Sequence, residues 1–403
     1  MVFKLPKPME CRECGSNNAI FHRIVYADII ISSVFNLLFT RWSLMNWLFF
    51  QIHSYEHLVT PHFIRACLQT GLAKKQIEVD SDVSILAGML WKEANKRGLN
   101  VWEFRLFGLP RNIYIAEFPN GKRITYEGIP LPQKIKHQVK WIDDKDALKK
   151  HFIKYGFPVA KGSSVITKRG AMQVFKNLET PVIVKPRHGS GSRHTTLHIT
   201  DENELVRAFF IATKISPSVI VEEELVGAVY RATVVDGKLV ATLRRNQPYV
   251  IGDGVSTIQE LVDEANKHPA RTGPYFSKIK IDDSAINELK WHGHTTKDIL
   301  PKRKRVTFHQ KVNWSVGGTT ADVSDLVHPD NVELFEQVAD VLKAPIVGID
   351  FIINDISHSW RKEKRCGIIE CNSMPFFDNH HLPFEGKPRN VAGAIWDMME
   401  KYK

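Results

Sequence analysis

The chain is poor in cysteine. Five residues, Cys11, Cys14, Cys67, Cys366 and Cys371, are spread over 403 positions, too few and too scattered for a disulfide scaffold. Long uncharged apolar runs are also lacking. Residues 24–39 (IVYADIIISSVFNLLF) are interrupted by Asp28, and Arg41 separates them from residues 42–50 (WSLMNWLFF). Neither run reaches the roughly 20 apolar residues of a membrane-spanning helix. The first residues, MVFKLPKPMECRECG, hold no apolar stretch of the kind that directs export. There is no internal repeat, no low-complexity tract and no G-x-x-x-x-G-K-[ST] phosphate loop. These absences exclude collagen-like, disordered and disulfide-stapled classes, and a reducing cytoplasmic setting is expected.

What is present is an ordinary globular composition, 25% charged and 43% hydrophobic, with a net charge of +11. At roughly 150 residues per domain, such a chain holds two or three domains. The basic balance favours anionic partners without choosing among nucleotides, polyanions and acidic lipid. Residues 1–60 form an apolar N-terminal region with helices. It either packs on the later domains or docks, through residues 24–50, on a membrane or partner. Cys11 and Cys14 make one C-x-x-C, but a zinc site needs about four ligands, and His22 and His53 do not complete it. The run KRKR at 302–305 reads as a solvated loop or a collector of anionic substrate, and no nucleic-acid partner is expected.

Residues 61–144 suggest a small α+β domain. The apolar set Val83, Leu86, Leu90 and Ala94 recurs at helical spacing over 81–97, with Ser81 as cap and Gly98 as stop. Pro119-Asn120-Gly121 between NIYIAEF and KRITY marks a hairpin. From 145 to 403 the elements alternate differently. A helix ends at Gly156, and FPVAKG (157–162) and PVIVKP (181–186) read as strands. Asp201 and Glu204 have capping-box spacing ahead of a helix, and SVIVEEE (218–224) reads as a strand. Asp236-Gly237 joins VYRATVV to KLVATL as a second hairpin, and Ser256 and Gln259 open a further helix. A helix over 329–342 precedes strands 346–354 and 366–372, and a last helix covers 390–402. Hairpins mixed with helices argue α+β.

Three features carry chemistry. Lys185 ends a β-branched strand and is followed by Gly189, Ser190, Gly191 and Ser192. Small residues let backbone N–H groups close on a phosphate, and the lysine adds a point charge. Glu370 and Asn372 lie two apart on one strand face, and Asp350 interrupts the apolar strand IVGIDFII. A buried acid needs a partner or a metal, and two carboxylates with an amide oxygen suit Mg²⁺, with Mn²⁺ as a substitute. Glu222, Glu223, Glu224 and Leu225 leave a strand where exposed backbone can bond a flat base.

In this order the features resemble the ATP-grasp superfamily, and in particular the ATP-grasp domain of cyanophycin synthetases and of bifunctional glutathione-synthesis ligases. The likeness rests on RRNQPYVIGDGVSTIQELVDEAN, NWSVGGTTADVSDLVHPDNVELF, GIDFII, GIIECNSMP and EGKPRNVAGAIWDMM, and covers about residues 145–400. It implies two α+β subdomains gripping ATP, and a carboxylate–amine ligase working through an acyl phosphate and releasing ADP. Lys185 then corresponds to the lysine on the phosphates, Gly189–Ser192 to the lid loop and Glu222–Leu225 to the adenine hinge. Asp350, Glu370 and Asn372 correspond to the Mg²⁺ ligands. Either Lys149 or Lys150 matches an earlier nucleotide lysine. Arg231 and Arg244 are candidates for phosphate or substrate carboxylate, because a guanidinium binds either in bidentate fashion.

The chain departs from the family at two places. Val229 stands where an acid usually lies near the ribose, and His309, Gln310 and Lys311 replace arginines before N-x-S-x-G-G. Lys311 still supplies positive charge. These departures motivate a rival expectation, a non-catalytic or repurposed nucleotide-binding module. The further Mur-type ligase domain of cyanophycin synthetases has no counterpart before Lys403, so one type of bond is expected, on an amino-acid, peptide or polyacid substrate. A homo-oligomer is expected, and His380 and His381 are left unassigned.

Overall fold

The computed structural model describes residues 26–27, 61–110, 112–132, 140–188, 194–273, 275–309, 312 and 316–402. The runs at 24–39 and 42–50 (apart from 26–27), Cys11, Cys14, the glycine loop Gly189–Ser192, Gln310 and Lys311 lie outside these residues. Among the described residues no helix is long and apolar enough to cross a membrane.

The first unit opens with helix α1 (61–69). Strand β1 (Ala73–Gln76), helix α2 (Ile85–Lys96) and strands β2 (Asn100–Leu106), β3 (Ile113–Glu117) and β4 (Arg123–Glu127) follow, and the sheet runs β1-β2-β3-β4, antiparallel throughout. Trp102 and Phe104 of β2 pack in one core with Ile64 and Cys67 of α1, while Val101 packs in another with Leu90, Trp91 and Ala94 of α2. That second core also takes in Trp396 and Met398 near the chain's end, and Trp396 Nε1 donates to Leu90 O at 2.9 Å.

The second unit contains α3 (Lys145–Lys154), β5 (Gly162–Val165), α4 (Lys168–Lys176), β6 (Val182–Pro186), β7 (Thr196–Ile199), α5 (Glu202–Ala212) and β8 (Val219–Glu223). Its sheet runs β5-β8-β6-β7, with α4 and α5 burying Ala171, Leu205, Ala208 and Ala212 against Val182, Val184 and Val221.

The third unit is built on β9 (Ala228–Val235) and β10 (Lys238–Asn246). An insertion follows, with β11 (Tyr249–Ile251), α6 (Ile258–Ala265), α7 (Asp283–Trp291) and β12 (Arg305–Thr307). Then come β13 (Thr319–Asp322), α8 (Pro329–Leu342), β14 (Ile346–Ile353), β15 (Gly367–Asn372), α9 (Asp378–His381) and α10 (Val391–Lys401). Its main sheet runs β13-β10-β9-β14-β15. Both α8 and α3 pack on it, so Leu148 and Phe152 of α3 share a core with Val347, Ile349 and Phe351. Helix α3 therefore belongs to the third unit's core although it precedes the second unit in sequence.

Several local expectations shift by a few residues. Helix α2 is capped by Ser84, not Ser81, because Ser84 Oγ accepts from Ala87 N. The capping box of α6 uses Thr257 and Glu260 rather than Ser256 and Gln259: Thr257 Oγ1 accepts from Glu260 N and the Glu260 carboxylate accepts from Thr257 N. Asp201 caps α5, but Glu204 bonds Thr200 N instead of returning to Asp201. Residues 157–162 form no strand of their own: Val159 makes one isolated bridge to Ile368 and β5 starts at Gly162.

The units join at Gly227, where φ is +132° and a β-carbon would lie 2.3 Å from the Ile353 carbonyl carbon. No side chain fits there, because the three nearest atoms, Ile353 C and O and Asn354 N, are all backbone. Gly227→Ala is expected to lose about 2–4 kcal/mol in urea unfolding, from overpacking plus backbone strain. A loss within error of zero would mean that the junction relaxes freely.

Candidate active site

The facing surfaces of the second and third units enclose a cavity lined by Lys145, Leu148, Lys149, Lys185, Glu222 and Ile369. Lys185 comes from β6, Glu222 from β8 and Lys149 from α3. The register pairs Ile183 with Glu222 and Lys185 with Ile220 across β6–β8, and residues of one parity share a face, so Lys185 and Glu222 point the same way. Helix α3 supplies Lys149 from the opposite wall. Glu222 is buried and accepts from both lysines, from Lys185 Nζ at 2.5 Å and from Lys149 Nζ through its other oxygen. Burial works to raise its carboxyl, but the Lys185 and Lys149 charges outweigh burial and hold it below the usual carboxylate range. Burial depresses the Lys149 ammonium, and Lys185 beside it adds to that effect. Two cations thus share one carboxylate, an excess of positive charge suited to a polyphosphate.

The two neighbouring lysines are placed differently. The Lys149 side chain is 11% exposed inside the cavity, while that of Lys150 is 71% exposed and pairs with Asp146 one turn back. Lys145, one turn before Lys149, stands 4.0 Å from Glu370 and ties the lysine pair to β15.

The acids lie in a lateral row. Leu243, Arg231, Asp350 and Glu370 are directly opposite one another across β10, β9, β14 and β15, and Asn372 is opposite Gly348. Asp350, Glu370 and Asn372 therefore share one face, as the spacing of Glu370 and Asn372 implied for that pair. Asp350 is buried and takes a bidentate pair from Arg231, Nε at 2.5 Å and Nη2 at 2.9 Å, with Arg245 Nη1 at 3.3 Å. Burial would raise its carboxyl, and the two guanidinium charges hold it low instead. Glu370 keeps a partly exposed carboxylate, and Asn372 Nδ2 is buried without a hydrogen-bond partner among the described residues. Glu370, Asn372 and Asp350 form a set of hard oxygens that fits Mg²⁺ shared with phosphates. Asp350 would have to exchange a guanidinium contact to join them. No group of three or more His, Cys, Asp or Glu among the described residues is placed to hold a metal by itself.

Arg244 does not reach this face. The Asp236-Gly237 turn alone would set Arg244 opposite Val229, on the side of Arg231. A bulge between Leu239 and Ala241 shifts the register by one, so Arg244 faces Tyr230 and Arg245 faces Val229. A one-residue slip turns every later side chain to the other face. Arg245 therefore stands in the cleft in place of Arg244, a substitution that only the bulge reveals.

The remaining candidates are dispersed along the hinge. The N–H groups of Glu223 and Glu224 donate to Lys161 O and Pro181 O, and Val226 N donates to Arg365 O at 2.8 Å. Glu223 Oε1 accepts from Lys161 N, and Glu224 bonds His198 through both its backbone N–H and its ring. Leu225 is half-buried in the turn toward β9. The hinge carboxylates are thus committed to structure, and Glu222 to the lysines.

Two sheets closing on a shared cleft, with paired lysines on one side and an acid row on the other, are the ATP-grasp fold, and the chain has that fold. Its relatives narrow the description. Over 269 residues the chain is 36% identical to cyanophycin synthetase of Synechocystis sp., a match covering 64% of this chain and 30% of that protein. Identity is 33% over 262 residues to the cyanophycin synthetase of Geminocystis herdmanii, covering 64% of this chain and 30% of that protein. To the glutathione biosynthesis bifunctional protein GshAB of Streptococcus mutans it is 29% over 310 residues, 75% of this chain and 39% of that one. The crystal structure of a bifunctional glutathione synthetase from Pasteurella multocida superposes with a TM-score of 0.57 at 23% identity, covering 78% of this chain and 43% of that one. The chain thus spans about a third of the length of the curated relatives it matches. No protein-family model matches it.

Proposed function

We propose that this protein is an ADP-forming carboxylate–amine ligase that uses ATP and Mg²⁺ to make an amide bond on an amino acid, peptide or polyacid. The carrying observation is the Lys149–Glu222–Lys185 cluster lining one cavity with β15, the strand that bears Glu370 and Asn372. A triphosphate entering the cavity offers Lys149 and Lys185 an anion to replace Glu222. Phosphoryl transfer asks mainly for positioning and charge neutralisation, which two buried lysines and Arg245 supply. The bound Mg²⁺ would neutralise phosphate charge from the side of Glu370 and Asn372. A substrate carboxylate oxygen attacks the terminal phosphorus, the bond to ADP breaks, and an acyl phosphate results. An amine then attacks the acyl carbon and phosphate departs.

Cyanophycin synthetase and the glutathione enzymes are named for peptide-like products, which supports an amino-acid or peptide acceptor. The described cysteines, Cys67, Cys366 and Cys371, are all buried and form no disulfide among the described residues, which supports a reducing cytoplasmic setting. The test is a panel of the common amino acids and their dipeptides as acid and amine, with ATP and Mg²⁺. ADP release that depends on both substrates, and a hydroxamate when hydroxylamine is added, are expected. Release of AMP, or nucleotide binding with no substrate-dependent ADP, would leave only a nucleotide-binding module.

A further inference from the structure

Beyond β15 the chain carries a carboxyl that the ligase reading leaves unused. After Asn372 the chain folds back over the cleft face of the main sheet. A β-carbon at Gly348 would lie 2.7 Å from Pro375 Cβ and 3.2 Å from Arg231 Nη1, so the returning segment runs close beside Arg231. Helix α9 is then pinned to the same face, because His380 Nε2 lies 2.8 Å from Thr233 Oγ1, two residues along β9 from Arg231. Burial pushes the His380 ring down to about 3. That histidine is a neutral strut rather than a proton carrier.

Asp378, two residues earlier, is half-buried. Its Oδ1 is sealed from solvent and accepts no hydrogen bond among the described residues. Buried carboxylate oxygens are rarely left so, because desolvation costs free energy that a bond normally offsets. Arg231 makes no hydrogen bond to it: its Nε and Nη2 hold Asp350, and only its charge acts on Asp378. Tyr275 feels the same carboxyl: its hydroxyl is raised by burial and then by the charge of Asp378. Burial also holds the Asp378 carboxyl above its ordinary range, which makes it a better base than a solvated aspartate.

The second half-reaction needs such a group. An amine reaches the cleft as an ammonium ion, which has no lone pair to attack with. We propose that Asp378 receives the ammonium group of the amine substrate and takes one of its protons, beside the Arg231–Asp350 pair. The step balances: R–NH₃⁺ and the carboxylate become R–NH₂ and the carboxylic acid. The amine nitrogen then forms the C–N bond, the C–O bond to phosphate breaks, and the departing phosphate takes the electron pair and the second nitrogen proton. The nucleophile is thereby assigned as a cationic primary amine, such as an amino acid or an amino-terminated peptide. This inference rests on the ligase reading.

The test compares two nucleophiles on Asp378→Asn in the full chain. Hydroxylamine is uncharged at neutral pH and needs no base, whereas the amino acid found active in the panel does. Amide formation is expected to fall by about 10²–10⁴-fold while hydroxamate formation stays within about twofold. Equal losses with both nucleophiles, or no loss with either, would overturn the assignment. Absence of hydroxamate with the unaltered protein would instead defeat the ligase reading, and this inference with it. Melting curves with and without ATP establish that the variant is folded, and Asp378→Ser carries the same comparison if the asparagine variant is not.

Discussion

Glu222→Ala is expected to destabilise the fold by about 3–5 kcal/mol, because it strips the carboxylate that two largely buried ammonium groups share. Lys149 and Lys185 have side chains only 11% exposed each, so water replaces the lost anion poorly. Breaking a buried pair from one side leaves an uncompensated charge, which costs far more than the intact pair contributes. Urea unfolding at neutral pH reads the effect as a lower midpoint with an unchanged slope. Inorganic tripolyphosphate should restore more stability to the variant than it adds to the unaltered protein, since it supplies the missing anion at the same place. Acid gives a second check on the sign. The Glu222 carboxyl is held below its unfolded value, so its contribution is complete above the ordinary carboxylate range and is lost as pH falls through the folded value. The unaltered protein should therefore lose stability more steeply toward low pH than Glu222→Ala. A loss under about 1 kcal/mol, the range of exposed pairs, would mean that the lysines swing out to solvent.

The site was legible in sequence where chemistry and spacing coincide. Glu370 and Asn372 had to share a face because they are two apart on a strand, and Asp350 declared itself as an acid in an apolar run. Lys185 was marked by its place at the end of a β-branched strand. What sequence could not show was set by register and by distant packing. The bulge after Leu239 exchanges Arg244 for Arg245, and nothing in KLVATLRRN announces it. A second bulge between Asp350 and Phe351 sets Glu370 against Asp350. Strand β2 hid for a different reason. Helices cover both its faces, so Asn100–Leu106 has no alternation to detect, and its buried Glu103 and Arg105 read as surface residues until they are seen paired at 2.7 Å. The paired lysines depend on a contact between segments 73 residues apart, Lys149 with Glu222.

Lys149 and Lys150 differ by one position on a helix and should differ by orders of magnitude in turnover. An α-helix turns about 100° per residue, so adjacent side chains cannot serve the same surface. Leu148 and Phe152 fix the rotation of α3 by packing into the main core. That leaves Lys149 aimed into the cavity with Lys185, and Lys150 outside on Asp146. Removing one preorganised cation from a charge-developing site costs about 10²–10³-fold, so Lys149→Ala and Lys185→Ala should each lower substrate-dependent ADP release by that factor. Lys150→Ala should stay within about twofold, as a surface pair is worth at most about 1 kcal/mol. The same ranking should hold for nucleotide affinity in a fluorescent-ADP titration, which needs no turnover. Lys149→Ala also leaves Glu222 with Lys185 alone, a paired rather than an orphaned charge, so its stability should fall less than that of Glu222→Ala. If Lys150→Ala instead matched Lys149→Ala in both readouts, helix α3 would have to be rotated by about a quarter turn, and the cavity would not be the nucleotide site.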